Sequence, residues 1–176
     1  MPCRCYWPPR SRPDPISGAL ALGTLTFGNE ADEGGSFAQL DRFTEVGGSL
    51  IDTADVYADG RSEETIGRLL QQRPGVRGEV VIATKGRFPV SDGPNGHGLS
   101  RQHLASALHG SLRRLQVDTV DLYQLHGWDR LTGIEETLGF LGDAVRAGKI
   151  NYVGLSNFTG WQIQKYVDLA RFRNLS

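Results

Sequence analysis

Apolar residues in this chain occur as short continuous runs, separated by stretches that are polar or helically spaced. One run, EVVIATK, is rich in β-branched residues and has the continuous apolar character of a strand buried on both faces. By the same criterion the runs predict five strands, over 19–27, 49–54, 79–85, 120–126 and 151–157. Their regular recurrence predicts a parallel sheet in which a helix follows each strand.

Helices are predicted in the stretches between the runs. The first covers 36–48 and ends in two glycines, which favour a C-terminal cap. Ser62 is predicted to start the second, whose first turn carries two glutamates. Ser100 is predicted to cap the third, and a fourth ends at Gly148. A last helical start contains Trp161.

The spacing of these elements predicts the fold class. Strand starts recur every 30–40 residues or so, which is typical of βαβ units. No G-x-G-x-x-G follows the first strand, so a doubly wound dinucleotide-binding sheet is not favoured. We therefore predict an α/β fold over 19–176, a partial TIM (β/α)8 barrel of about five parallel strands alternating with helices. A complete barrel typically takes about 250 residues, so we expect this one not to be closed. Residues 1–18 hold five prolines and are predicted to be irregular.

Composition and charge narrow the expected partners. The formal net charge is −1 and basic residues do not cluster, so neither nucleic acid nor an anionic membrane surface is expected. No run of about 18 apolar residues is present, and the N-terminus lacks the apolar core of a secretory signal. Cys3 and Cys5 are expected to be free thiols, because they are too close for a structural disulfide. A cytoplasmic location is the default expectation, and no metal is expected because the four histidines lack ligand spacing.

Polar residues end four successive predicted strands. They are Asp52, Lys85, His126 and the pair Ser156 and Asn157. Each has an ordinary explanation by itself: a turn aspartate, a solvated lysine, a hydrogen-bonded structural histidine. Together they indicate an active site, because the carboxyl ends of parallel strands in a (β/α) barrel meet at one rim, where active sites lie.

Tyr57 completes this set of candidate catalytic residues. It follows Asp52 by five positions, in the loop above the second strand. A phenol is a weak acid at neutral pH, but a neighbouring ammonium favours its ionised form. Lys85 can supply that ammonium and Asp52 can hold it, so that Tyr57 becomes a suitable proton donor to a carbonyl oxygen. No side chain can donate the hydride that such a reduction also needs, which implies a nicotinamide cofactor.

Four long motifs resemble those of the aldo-keto reductase family, in the same order. They are GSLIDTADVYADGRSEETIG at 48–67, VVIATK at 80–85, SLRRLQVDTVDLYQLHGWD at 111–129 and GKINYVGLSNF at 148–158. The resemblance implies a (β/α) barrel that reduces aldehydes and ketones with NADPH and needs no metal. It also implies that Tyr57 is the general acid, that Lys85 and Asp52 tune it, and that His126 orients the carbonyl. The cofactor-binding positions it implies are Gly23, Thr24, Asp52, Ser156 and Asn157.

The resemblance also suggests what this chain lacks and leaves alternatives open. Strands six to eight of the family barrel have no counterpart, and barrels often bind phosphate after strands seven and eight. We therefore expect impaired activity, and self-association through exposed sheet edges is a second expectation. The loop at 86–99 is either part of a substrate wall or a solvated connector. The alternatives are a Schiff-base aldolase that uses Lys85 and a non-catalytic nucleotide-binding regulatory or scaffold protein on the same fold.

Overall fold

A computed structural model of the protein describes residues 20–93 and 95–172. The proline-rich segment 1–18, with its two cysteines, lies outside the described residues. The described part forms a parallel sheet in the order β1-β2-β3-β4-β5, and helices alternate with the strands. The strands are β1 (Ala21–Gly23), β2 (Leu50–Asp52), β3 (Val81–Gly86), β4 (Val120–Leu125) and β5 (Ile150–Leu155). The helices are α1 (Glu33–Glu45), α2 (Arg61–Gln72), α3 (Arg101–Leu115), α4 (Ile134–Arg146) and α5 (Gly160–Phe172), with 3₁₀ segments at Tyr57–Gly60 and Pro74–Gly78.

The predicted fold class is confirmed: five parallel strands alternate with helices, and the sheet is not closed. Among the described residues β1 pairs only with β2 and β5 only with β4. The register pairs Gly23 with Asp52, Asp52 with Ala83, and Lys85 with Gln124. Because all strands run the same way, their carboxyl ends form one rim. Self-association through the two edges stays a prediction.

The hydrophobic core lies between the sheet and its helices. Ile51 and Ile82 are fully buried, and Tyr123 and Leu104 are as well. Gly67 lets α2 approach α3 closely, since a Cβ at this position would lie 2.2 Å from the backbone oxygen of Arg114. No helix within the described ranges combines the length and apolar character needed to cross a membrane.

Two predicted helix starts have different outcomes. The Ser100 cap is confirmed, because its hydroxyl accepts a hydrogen bond from the His103 N–H at 3.3 Å. The second helix is confirmed, with both glutamates in its first turn, but Ser62 does not cap it: α2 begins one residue earlier, after Gly60, which has φ +89°. Ser62 is buried instead, and its hydroxyl bonds to Thr24 and Thr53.

The first strand is much shorter than the apolar run that predicted it. The run covers 19–27, whereas β1 ends at Gly23 and the chain then turns. Phe27 lies in this turn and is fully buried in the core. An apolar run indicates only that its residues are buried. A loop residue that packs into the core, such as Phe27, is therefore not distinguished from a strand residue by the sequence pattern.

Candidate active site

Lys85 is the residue around which the polar side chains of the rim gather. It lies near the carboxyl end of β3 with only 4% of its surface exposed. Its Nζ donates to Asp52 Oδ2 at 2.6 Å, to the carbonyl oxygen of Thr53 at 2.9 Å and to the Tyr57 hydroxyl at 3.2 Å. An ammonium has three N–H donors, so these contacts satisfy it and hold its charge beside the phenol.

The Asp52 carboxylate is held from two sides. Its Oδ2 accepts from Lys85, and its Oδ1 accepts from Gln124 Nε2 at 2.9 Å. The sequence analysis did not predict Gln124 as a residue of this site. A signal for it exists, because Gln124 precedes His126 by two positions at the end of β4, and residues two apart on a strand share a face.

Tyr57 reaches Lys85 because the chain turns sharply after β2. The Tyr57 N–H donates to the carbonyl oxygen of Ala54 at 3.2 Å. The next two residues, Ala58 and Asp59, have φ of +49° and +56°, a left-handed conformation that is uncommon outside glycine. Strained backbone of this kind tends to occur at functional sites. The turn places the half-buried Tyr57 ring above the rim.

The His126 ring lies beside the Tyr57 ring in an edge-on arrangement, with the two centroids 5.8 Å apart. Burial, followed by the nearby charge of Lys85, lowers the pKa of His126 to about 4, so the imidazole is neutral at neutral pH. Its Nδ1 is buried and has no hydrogen-bond partner in the described part of the chain. The single proton is therefore better placed on Nε2, because an N–H at Nδ1 would be buried without an acceptor. Such an imidazole can donate a hydrogen bond to an oxygen above the rim.

Ser156 and Asn157 follow β5 at the same rim. The Ser156 N–H donates to the carbonyl oxygen of Leu125 at 2.9 Å. Asn157 Nδ2 donates to the carbonyl oxygen of His126 at 3.0 Å and to Ser156 Oγ at 3.2 Å. The first bond fixes the Ser156 backbone to the end of β4, and the other two fix the Asn157 side chain there and join it to the Ser156 hydroxyl. Within the described residues neither the Asn157 amide oxygen nor the Ser156 hydroxyl hydrogen is used in these bonds, so both can contact a ligand.

Gly23 and Thr24 end β1 and have different surroundings. A Cβ on Gly23 would meet no atom within 4 Å, so open space lies above this end of the strand. The Thr24 side chain is fully buried. Its hydroxyl donates to the carbonyl oxygen of Asp52 at 3.1 Å and lies 2.9 Å from the Ser62 hydroxyl. The backbone of this pair is placed to border a ligand, whereas the Thr24 hydroxyl is already used inside the fold.

Two buried carboxyl groups, those of Asp55 and Glu63, lie close to this site. Glu63 is fully buried, and it accepts from Thr84 Oγ1 at 2.5 Å and from Arg114 Nε at 2.7 Å. Asp55 is also buried, and neither of its carboxyl oxygens has a hydrogen-bond partner among the described residues. Burial, followed by the charge of Glu63, raises the pKa of Asp55 to about 7. The sequence reasoning singled out neither residue as functional.

The fold defines a class of protein: a partial (β/α) barrel, in which parallel strands alternate with helices and polar side chains gather at the rim formed by the carboxyl ends of the strands. Within the described ranges no three His, Cys, Asp or Glu side chains come together as metal ligands would. The chain belongs to the aldo/keto reductase family, which it matches over residues 19–174. The resemblance found in the four motifs is thereby confirmed.

Several curated proteins are similar to this chain. The Bacillus subtilis protein named "Uncharacterized oxidoreductase YrpG" is 41% identical over 83% of this chain and 47% of its own length. A "Probable voltage-gated potassium channel subunit beta" of Oryza sativa is 38% identical over 83% of this chain and 44% of its own. An "Aryl-alcohol dehydrogenase [NADP(+)]" of Phanerodontia chrysosporium is 33% identical over 86% and 44%. The chain thus spans about half the length of the curated relatives it matches.

Proposed function

We propose that this chain contributes the proton-transfer half of an NADPH-dependent reductase of aldehydes and ketones. The observation that carries the proposal is the position of Lys85 Nζ, 2.6 Å from Asp52 and 3.2 Å from the Tyr57 hydroxyl. The nearby His126 imidazole supports it, because a carbonyl oxygen above the rim would have two hydrogen-bond donors within reach.

Tyr57 is the general acid in this proposal. The carbonyl oxygen gains negative charge as its carbon is reduced, and the Tyr57 O–H delivers a proton to that oxygen. The ammonium of Lys85 then stabilises the phenolate that remains, and Asp52 holds the ammonium in place. His126 is neutral, so it donates a hydrogen bond that orients the oxygen and does not compete as an acid.

Residues at the rim fit a nicotinamide group. When bound, that group supplies the hydride for the carbonyl carbon. The Ser156 hydroxyl and the Asn157 amide oxygen are available to a carboxamide, and Asp52 lies on the same rim. A Cβ on Gly23 would meet no atom within 4 Å, so a ligand group can approach the backbone at this end of β1. The name of the Phanerodontia relative, which includes NADP(+), supports this choice of cofactor class.

We further propose that the chain by itself is an impaired reductase. The curated relatives it matches are about twice as long. In (β/α) barrels, the loops after strands seven and eight commonly bind the phosphate groups of a ligand. Five strands supply the proton donor and the orienting imidazole but only one edge of the cofactor site.

The test follows the absorbance of reduced nicotinamide while the purified chain is mixed with NADPH and a reactive aldehyde. We expect slow turnover that Tyr57→Phe abolishes, because the phenyl ring keeps the packing but has no proton to give. Tyr152→Phe is the matched control, since Tyr152 lies within β5 away from the strand end, and it should retain the turnover. Equal rates for Tyr57→Phe and the unmodified chain would exclude Tyr57 as the acid.

A non-catalytic, nucleotide-binding regulatory role is the second candidate. The name of the Oryza relative, a probable potassium channel subunit, favours it. Nicotinamide nucleotide binding that is equal in the unmodified chain and Tyr57→Phe, with no turnover in either, would select this candidate. The aldolase alternative receives less support, because Lys85 Nζ makes three hydrogen bonds within the protein, whereas a Schiff-base lysine needs its nitrogen free to attack a carbonyl carbon.

A further inference from the structure

Asp55 lies inside the short connection that carries both Asp52 and Tyr57. Its backbone N–H donates to the carbonyl oxygen of Lys85 at 3.1 Å, which ties this connection to β3. Its side chain is 2% exposed, and the segment thus passes from the rim through the interior of the protein. A change in how Asp55 is held therefore acts directly on the segment that presents the Tyr57 hydroxyl.

The interior around Asp55 contains more acidic groups than cations to neutralise them. Glu63 faces it from α2, Arg114 from α3 and Tyr123 from β4. The guanidinium of Arg114 is already committed to Glu63, with Nε and a terminal nitrogen each 2.7 Å from Oε2. On the β3 side, the ammonium of Lys85 is committed to Asp52 and Tyr57.

Tyr123 adds a second polar group that lacks a partner. Its side chain is fully buried, and its hydroxyl has no hydrogen-bond partner among the described residues. A Cβ on Gly86 would lie 2.2 Å from that hydroxyl, so the phenol packs directly against the residue after Lys85. A charged carboxylate at Asp55 would thus be buried beside a paired carboxylate and an unpaired phenol, which is costly, whereas a neutral acid would be far less so.

We propose that Asp55 is a positioning residue that is buried as a neutral carboxylic acid, and that loss of its proton loosens the segment carrying Tyr57. The proposal rests on the proposed function in one respect: the position of Tyr57 matters because Tyr57 is the proposed proton donor. The physical basis is that the cluster of Asp55, Glu63, Arg114 and Tyr123 holds one guanidinium for two carboxyl groups.

The sign of the pH effect follows from the direction in which the pKa moves. In the closed segment the pKa of Asp55 is about 7, whereas in an open, hydrated segment it has its ordinary value of 3.8. The closed segment therefore binds the proton more tightly, and this stabilisation is lost as the pH rises from about 4 to about 7. Within that window the opening equilibrium should increase about tenfold for each pH unit.

Hydrogen exchange of the backbone amides of Asp55 and Tyr57, corrected for the intrinsic rate, measures this opening. In the unmodified chain we expect the protection to fall about fiftyfold between about pH 5 and about pH 7. Asp55→Asn should remove this pH dependence and keep the protection, because the amide is uncharged and similar in shape. Asp59→Asn is the matched control on the same segment, since Asp59 is exposed, and it should behave like the unmodified chain.

The same pH dependence in Asp55→Asn and the unmodified chain would overturn the proposal, as would loss of protection in Asp55→Asn at low pH. A second measurement does not depend on any variant folding well. In protein labelled with ¹³C at the aspartate carboxyl groups, the carboxyl of Asp55 should remain mostly protonated at about pH 6. That pH is about two units above the ordinary pKa of an aspartate. If every aspartate is ionised there, the proposal is wrong. Neither readout needs cofactor or turnover, so its failure is distinct from failure of the proposed reductase activity.

Discussion

Replacing Arg114 by Met tests whether the buried carboxyl groups beside the site depend on a single cation. Arg114 donates from two nitrogens to Glu63 Oε2, at 2.7 Å each, and joins α3 to α2. Glu63 has no exposed side-chain surface, whereas Arg114 keeps 27% of its own. The Met side chain retains the apolar stem of arginine, so Arg114→Met removes mainly the charge and leaves Glu63 buried without a counter-ion.

The expected cost is large compared with the stability of a protein of this size. Breaking a buried ion pair by removing one partner costs about 3–5 kcal/mol. Arg114 is partly exposed, so water replaces some of what is lost and we place the cost near the lower figure, about 3 kcal/mol. Native proteins are stable by only about 5–15 kcal/mol, so this change alone would remove a large fraction.

Urea unfolding followed by circular dichroism measures this loss. The midpoint should fall while the slope stays the same, which reports a change in stability and not in the exposed surface. Arg113→Met is the matched control, because Arg113 is the exposed neighbour on the same helix. If Arg114→Met differs from Arg113→Met by less than about 0.5 kcal/mol, the range of ordinary surface changes, then the buried pair does not stabilise the fold as argued.

Three further predictions concern packing, capping and pH. Gly67→Ala should destabilise the chain by about 1–3 kcal/mol, because its Cβ would lie 2.2 Å from the Arg114 carbonyl oxygen. Gly75→Ala is the control, since a Cβ there would meet no atom within 4 Å, and in thermal melts only Gly67→Ala should lower the melting temperature. Ser100→Ala should cost about 1 kcal/mol through loss of the α3 cap, and an unchanged melting temperature would contradict this. Since the pKa of His126 is about 4 when folded and 6.5 when unfolded, its stabilising contribution is lost as the pH falls through that window. His126→Gln should therefore flatten the acid limb of the stability profile, and an identical limb would count against it.

The strand and helix pattern of this chain was predictable because it depends on local periodicity. β4 and β5 begin within one residue of their predicted starts. The two glycines after α1 end it as expected, with Gly47 at φ +83°. The length of the first strand and the start of α2 could not be predicted in this way. There Phe27 and Ser62 are buried by contacts with distant parts of the chain, and local periodicity does not contain that information.

The candidate site was predictable as a set of residues but not as a set of contacts. Parallel strands bring their carboxyl ends together whatever their sequence separation, which is why Asp52, Lys85 and His126 could be grouped from the chain alone. The bond from Gln124 to Asp52, across 72 positions, depends on the register between strands. No pattern along the chain reveals that register before the sheet forms.

The amino-acid sequence by itself determined the family, the alternation of strands and helices, and the strand end at which each polar side chain lies. Only the tertiary structure decided the protonation states. His126 is neutral and Asp55 has a raised pKa because packing removes water from around them and places other charges nearby. Electric fields and hydration depend on distances in space, and those distances exist only once the chain has folded.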